Sequence, residues 1–289
     1  MQATTPLMFR PQGVDADRLS PTDFDRLGRF IQAASGIKMA PNKLTMLEMR
    51  LRRRLRVLGI DSFAAYCRRL FDEGGLQSEA VHLIDAVTTN KTDFFREPAH
   101  FRYLADAVVP ELLEARGEGT QLTFWSAACS TGAEPYTLAM VLDDLAGRLP
   151  FRYSILATDI CTEVLQTAIA GIYPAATLEP TPEALHKRYV QRSRDRSQGL
   201  VRIAPELRSK VRFGRLNLIE PTLPAPRDLD VVFCRNVLIY FDRPTQHQVV
   251  RRLCDHLRPG GYLFLGHSET LVGADLPLRQ TAPSTFLRI

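Results

Sequence analysis

The sequence predicts an α/β protein: a doubly wound, mostly parallel sheet with a small N-terminal all-α domain and an inserted antiparallel β-subdomain. Three observations carry this prediction. From about residue 97 onward, short apolar runs alternate with stretches of helical spacing, the rhythm of strands joined by crossover helices. Across residues 20–87 the apolar positions recur only at helical spacing. Between Gly171 and Arg208 the alternation lapses into a proline-rich segment and a hairpin pattern, the mark of an insertion.

Composition narrows the class. At 289 residues there is room for one large domain, or a small one beside a medium one. A hydrophobic content of 45% and a charged content of 24% are those of a soluble globular protein. No apolar run approaches a membrane span, and Met1–Pro11 lacks a charged-then-apolar signal pattern. Five cysteines without CxxC spacing and six histidines without HExxH spacing point to a reduced cytoplasmic protein with no structural metal. The net charge of +5 is unevenly spread. Residues 42–70 hold eight Lys/Arg against two acids, and residues 186–215 hold ten against two, so the rest of the chain is acidic. Such patches fit an acidic partner, whether nucleic acid, anionic membrane or protein, or else solvated helix faces.

Taken in order, residues 1–19 show no period and form a flexible arm. Ser20-Pro21-Thr22-Asp23 starts a helix, with Ser as cap and Pro in the first turn, and Gly36 stops it. A second helix over Asn42–Leu58 carries Leu44, Leu47, Leu51, Leu55 and Leu58 on one stripe. Its Arg52, Arg53 and Arg56 fall on the opposite side. A third runs from Asp61 or Ser62 to Leu70, and a fourth over Leu76–Val87. Residues 88–96 are a polar, then aromatic, then charged connector, a composition suited to bringing polar groups to a ligand. A helix over residues 97–115 leads into strands at Leu122–Ala127, Phe151–Asp159, Val211–Phe213, Leu229–Cys234 and Tyr262–Gly266. Helices follow at Glu134, Thr162–Ala170 and Thr245–Leu257, and Arg258–Gly261 reads as a turn. The insert, residues 172–209, pairs Arg188–Gln191 with Leu200–Ile203, and Ser284–Ile289 adds a last strand.

The chemistry concentrates at the strand ends. Phe124–Met140 reads as strand, small-residue turn and helix start, an arrangement that aims backbone N–H groups at a ligand. It holds one glycine, Gly132, which lets the backbone come close, and it lacks the GxGxxG of a dinucleotide site. Glu134 at the helix start suits a cationic group and repels a phosphate. Asp159, closing the second strand, is placed for ribose hydroxyls. Together they favour S-adenosylmethionine over NAD or ATP. Asn217 offers an amide to an adenine edge. Arg235 and Asn236, just past a buried strand, are costly to leave unpaired and so line the crevice or hold its loops.

TTNKTDFFRE, WSAACSTGAEPYTLAM, ATDICTEVL, FCRNVLIYFD and RPGGYLFLGHSE, in this order over about residues 20–270, together resemble the CheR-type chemotaxis receptor methyltransferases. The resemblance implies a Rossmann-like class I domain over residues 97–289 that methylates receptor glutamate side chains from S-adenosylmethionine, leaving S-adenosylhomocysteine. It implies cofactor contacts at Asn90, Thr92, Arg96, Glu134, Asp159, Asn217, Leu218, Asn236 and Val237, with Arg96 and Tyr240 at the transfer site. Arg52, Arg53 and Arg56 then dock the acidic helices of the receptor. Two positions depart from the family pattern: Ala133 stands where a second Glu is common, and the Ser193–Gln198 loop is charged where peptide-gripping relatives carry glycines. The loop argues against tethering by a receptor C-terminal peptide. A monomer without nucleic acid or metal, working in the cytoplasm beside membrane-embedded receptors, is the expectation. The alternative is an RNA or small-molecule methyltransferase of the same fold, against which the missing Asn/Asp-Pro-Pro-aromatic turn counts.

Overall fold

The computed structural model describes residues 17–271 and 275–289, so most of the arm expected over residues 1–19 lies outside the described residues. Its first domain contains α1 (Pro21–Ser35), α2 (Leu44–Leu58), α3 (Phe63–Phe71) and α4 (Leu76–Val87). The helices begin and end where the sequence punctuates them. The Ser20 and Ser62 hydroxyls accept the N–H groups of Asp23 and Ala65, each at 3.1 Å, satisfying amides that a helix start leaves orphaned. Gly36 and Gly59 close α1 and α2 in left-handed backbone, φ 76° and 63°. Leu27, Ile31, Leu47, Leu51, Phe63 and Leu70 are buried between the four helices, while Leu44 and Leu58 at the ends of the α2 stripe are only partly covered. Buried Glu79 takes Arg54 in a two-bond pair at 2.7 and 2.9 Å.

The second domain opens with α5 (Pro98–Tyr103) and α6 (Val109–Arg116), joined through a π-helical turn over Leu104–Val108. The single helix expected over residues 97–115 is interrupted because Pro110 lacks an N–H and its ring crowds the preceding turn. There follow β1 (Gln121–Ala127), α7 (Ala133–Ala146), β2 (Arg152–Asp159) and α8 (Thr162–Ala170). The insert holds β3 (Ile172–Pro174), α9 (Glu183–Tyr189), β4 (Val190–Arg192), β5 (Leu200–Ile203) and α10 (Pro205–Arg208). The main fold resumes with β6 (Val211–Arg215), β7 (Leu229–Cys234), α11 (Arg243–His256), β8 (Leu257–Leu265), β9 (Leu278–Ala282) and β10 (Thr285–Arg288).

The seven main strands lie in the order β6-β2-β1-β7-β8-β10-β9, with the first five parallel, β10 antiparallel to β8, and β9 antiparallel to β10. From β1 the chain builds outward through β2 and β6, then crosses to the other side of β1 with β7. That reversal leaves a crevice outside the carboxyl ends of β1 and β7. Both sheet faces are buried, which is why these strands read as continuous apolar runs. Phe124 and Phe233 belong to the α7 face, Trp125 and Val232 to the α11 face.

Three local expectations are corrected. The insert is a three-stranded sheet, β3-β5-β4, in place of a hairpin, and α9 occupies residues 188 and 189 of the expected first strand. Leu257 opens β8 and does not end α11. Arg258–Gly261 is not a free turn but the bulged start of β8, where a Cβ on Gly261 would sit 3.0 Å from the Leu229 carbonyl oxygen. Among the described residues no helix is long and apolar enough to cross a membrane.

Candidate functional site

The turn after β1 is held by backbone geometry. Ala128 and Cys129 both donate their N–H to the Thr158 carbonyl, at 2.8 and 2.9 Å, which locks the turn to β2. Asp159 lies buried beside it and accepts the N–H groups of Ser130 (2.8 Å) and Cys161 (2.9 Å). Burial pushes its carboxyl above the usual range, and those amide bonds work in the opposite direction. Two amides use two of its four lone-pair positions and leave the others for a ligand. Gly132, φ 92°, does not serve the cleft as expected. A Cβ there would lie 2.9 Å from both the Ala168 Cβ and the Tyr173 hydroxyl, so the glycine lets the turn pack on α8 and β3.

Glu134, in the first turn of α7, accepts Ser126 Oγ at 2.7 Å and Arg235 Nη1 at 2.9 Å. Arg235 is the hub. Its side chain is 2% exposed, and its Nη2 donates to Glu97 Oε2 at 2.9 Å and to the Arg96 carbonyl. Its guanidinium also lies over the Phe101 ring at 5.4 Å. Burial alone would raise the Glu97 carboxyl, but the Arg235 bond and charge, with Asn236 Nδ2 at 3.1 Å, hold it down at about 2. Asn236 in turn donates its N–H to Glu269, a buried acid that also accepts the N–H groups of Leu238 and Gly266. Burial raises the Glu269 carboxyl, against those amide bonds.

Non-glycine residues in left-handed backbone mark the same place. Among the described residues there are seven, and five of them, Phe95, Glu97, Ala128, Ser130 and Asn236, stand on the three loops that Arg235 and Asp159 hold. Each such conformation costs on the order of 1–3 kcal/mol and persists only where its surroundings enforce it.

The loop over residues 88–97 runs across the β1–α7 turn. The Asn90 carbonyl accepts Ser130 Oγ at 2.7 Å, its Nδ2 donates to Thr88 Oγ1 at 3.1 Å, and Arg96 Nη1 donates to the Lys91 carbonyl at 3.1 Å. Phe94 is buried against Tyr173 at 5.2 Å, edge to face, and anchors the loop. The result is a cleft at the topological switch point. Asn90, Thr92, Arg96, Glu134, Asp159, Asn217, Leu218, Asn236, Val237 and Tyr240 all line it, as do Ser35 and Ile37 of the helical domain, which sequence reasoning missed.

Two expected roles change. The Asn217 amide is already committed: Nδ2 donates to the Ala34 carbonyl at 2.8 Å and Oδ1 accepts the Ile219 N–H at 3.3 Å. Of the three α2 arginines outside the cleft, Arg53 and Arg56 are exposed. Arg52 instead donates to the Asp17 carbonyl at 2.8 Å and lies over the Phe63 ring at 5.1 Å. Arg50 and Arg54 are bound as well, to the Val87 and Thr88 carbonyls and to Glu79. The basic run of α2 therefore consists largely of internal ties. One His–carboxylate cluster, Glu97 with His100 and His267, is present among the described residues. Its acid is engaged by Arg235, and burial, then the Arg235 charge, lowers buried His100 to about 4.

Comparison with known proteins bears on most of the chain. The family model described as CheR methyltransferase, SAM binding domain, matches residues 90–286, and the CheR methyltransferase all-alpha domain matches residues 22–88. The chemotaxis protein methyltransferase of Salmonella typhimurium is 42% identical over 251 residues, covering 87% of this chain and 84% of the relative. That of Escherichia coli is 43% identical over 252 residues, with 87% and 85% covered. Chemotaxis protein methyltransferase 2 of Pseudomonas aeruginosa is 40% identical over 264 residues, with 91% and 92% covered.

Proposed function

Because the chain belongs to the CheR methyltransferase family, we propose that it transfers the methyl group of S-adenosylmethionine to glutamate carboxylates on chemoreceptor cytoplasmic helices. The products are glutamate methyl esters and S-adenosylhomocysteine. The observation that carries the site assignment is the cleft at the sheet's switch point. There Glu134 and Asp159 form an acidic inner wall and Arg96 a basic rim.

The residues fit this cofactor. Two carboxylates and no glycine-rich phosphate loop suit an ammonium, a sulfonium and a ribose diol. Asp159 takes the ribose hydroxyls with its remaining lone pairs. Glu134, held by Ser126 and Arg235, faces the ammonium. With the Asn217 side chain tied to α1, the backbone of Asn217 and Leu218 meets the adenine edge. Asn90 and Thr92 of the loop cover the methionine end, with Asn236 and Val237 opposite.

When bound, S-adenosylmethionine supplies an electrophilic methyl group on a sulfonium. An acceptor glutamate, with a reference pKa of about 4.3, is already an anion at neutral pH, so no general base is needed. What the protein contributes is alignment and exclusion of water. Arg96 pairs with the acceptor carboxylate, and its carbonyl, fixed by Arg235, sets where that side chain starts. Tyr240 hydrogen-bonds the carboxylate or packs beside the methyl. The receptor helix lies against the exposed Arg53 and Arg56.

The deciding experiment mixes purified protein, methyl-labelled S-adenosylmethionine and receptor-containing membranes. Base-labile label on the receptor is the expected outcome. Base-stable label, or label that moves to added RNA with receptors left unlabelled, refutes the assignment and favours the alternative of a different acceptor.

A further inference from the structure

The helical domain reaches the cleft through the connector between α1 and α2. Gly36, with φ 76°, is pressed onto the catalytic domain: a Cβ there would sit 2.7 Å from Ile219 Cγ2 and 3.0 Å from Phe241 Cδ1. Two hydrogen bonds fasten the connector on either side. Asn217 Nδ2 donates to the Ala34 carbonyl at 2.8 Å, satisfying one of the last carbonyls of α1 that the helix leaves free. The Lys38 N–H donates to the Tyr240 carbonyl at 3.0 Å. Ser35 and Ile37, between these fastenings, line the cleft beside Asn217, Leu218, Tyr240 and Phe241. Beyond Lys38, only Met39 and Ala40 precede the Pro41–Lys43 turn from which α2 starts.

From this geometry we propose that Ser35–Lys38 is part of the cofactor site: Ser35 and Ile37 wall its adenosine end, and Lys38 is a positioning residue for Tyr240. The inference rests on the reading of the cleft as the S-adenosylmethionine site. A ligand bounded by both domains stabilises their contact, because it binds the closed arrangement and not the parted one. The helix that presents Arg53 and Arg56 is thereby tied, through five residues of backbone, to the residue at the transfer site. The helical domain is then a component of the catalytic cleft as well as a docking surface.

The test measures the dissociation constant of S-adenosylhomocysteine by calorimetry for four variants and follows backbone amide exchange in the wild-type protein. Gly36→Ala places a Cβ in left-handed backbone against Ile219, and weakens binding about tenfold. Ile37→Ala weakens it roughly threefold or more through lost apolar contact. Gly59→Ala, at φ 63° with nothing within 4 Å of its Cβ, carries the same backbone cost far from the cleft and leaves the constant unchanged. Asp159→Asn controls for the cleft itself. In the wild-type protein, ligand slows exchange of the Lys38 amide. If Asp159→Asn weakens binding while Gly36→Ala and Ile37→Ala do not, the connector's role is overturned and the cleft stands. If all three leave the constant unchanged, the reading of the cleft falls. Where Gly36→Ala fails to fold, Ile37→Ala and the Lys38 exchange decide by the same criteria.

Discussion

Glu97→Gln isolates the buried charge network in a single change. The glutamine keeps the shape and one acceptor for Arg235 Nη2 but removes the charge that this guanidinium and Asn236 recognise. Glu97 sits at about 2 in the folded protein against an ordinary 4.5, the Arg235 bond and charge outweighing the opposing effect of burial. A gap of that size corresponds to about 3 kcal/mol of folding stability. Its sign follows from the direction. A depressed carboxyl contributes stability that is fully present above the unfolded value near 4.5 and is lost as pH falls toward 2. At pH 7 the variant should therefore be less stable by about 2–3 kcal/mol, a melting point lower by roughly 3–5 °C for a chain of this size. The difference should shrink steadily between pH 5 and pH 3. Buried His100, lowered to about 4, costs both proteins stability below pH 6.5, and costs the variant more, because the Glu97 charge that opposes this lowering is gone. Urea titrations of both proteins at half-unit steps from pH 7 to pH 3 measure the difference. A gap that is constant over that range would mean that Glu97 acts through shape alone, and the charge argument would be wrong.

Four further outcomes follow from the cleft and from the arginines of α2. Asp159→Asn removes a charged acceptor for the ribose, so cofactor affinity falls about 10- to 100-fold by calorimetry, and unchanged affinity would remove Asp159 from the site. Arg96→Ala lowers the rate of methyl transfer about 100-fold in a labelled-methyl assay on receptor membranes, whereas an unchanged turnover would sink its role at the acceptor. In the same assay Tyr240→Phe at full rate would reduce that side chain to packing. Arg53→Glu with Arg56→Glu raises the KM for receptor and spares the cofactor constant, while Arg52→Glu lowers the melting temperature because it breaks the ties to Asp17 and Phe63. Equal KM effects from both substitutions would remove the distinction drawn here.

What was legible in the sequence was local. Ser20, Ser62, Gly36 and Gly59 announce helix ends because a cap acts within a few residues. The runs LTFWSA and LDVVFC announce β1 and β7 because a strand buried on both faces needs no alternation. Glu134 and Asp159 were readable for a similar reason: each lies within a few residues of the strand end that places it. The short strand β3 and the polar edge strand β9 were missed, since three residues carry no period and an exposed edge asks for no apolar ones. Glu97 and the connector over α1 were invisible for a different reason. Their partners, Arg235 and Asn217, stand 138 and 183 residues away, and no local pattern encodes such pairs. Arg52 misled because helical geometry gave its direction correctly but could not say that Asp17 and Phe63 would meet it there.

The charge arrangement also explains why an arginine is buried in the middle of the site. One guanidinium between two carboxylates, Glu97 and Glu134, leaves the trio one charge negative. An apolar residue of similar volume in place of Arg235 would leave both partly buried acids without their shared cation, a loss of about 3–5 kcal/mol. A second cation would instead neutralise the wall and make it indifferent to a ligand's charge. With one, the inner cleft favours cationic groups, and Arg96 at the rim favours an incoming carboxylate. Arg235 also joins segments that are distant in sequence: the loop before α5 through Glu97 and Arg96, and the start of α7 through Glu134. The same side chain thus sets the sign of the pocket and holds the strained loops that form it. That is why left-handed Phe95 and Glu97 flank the Arg96 carbonyl where its hydrogen bonds end, with left-handed Asn236 next to it in the chain.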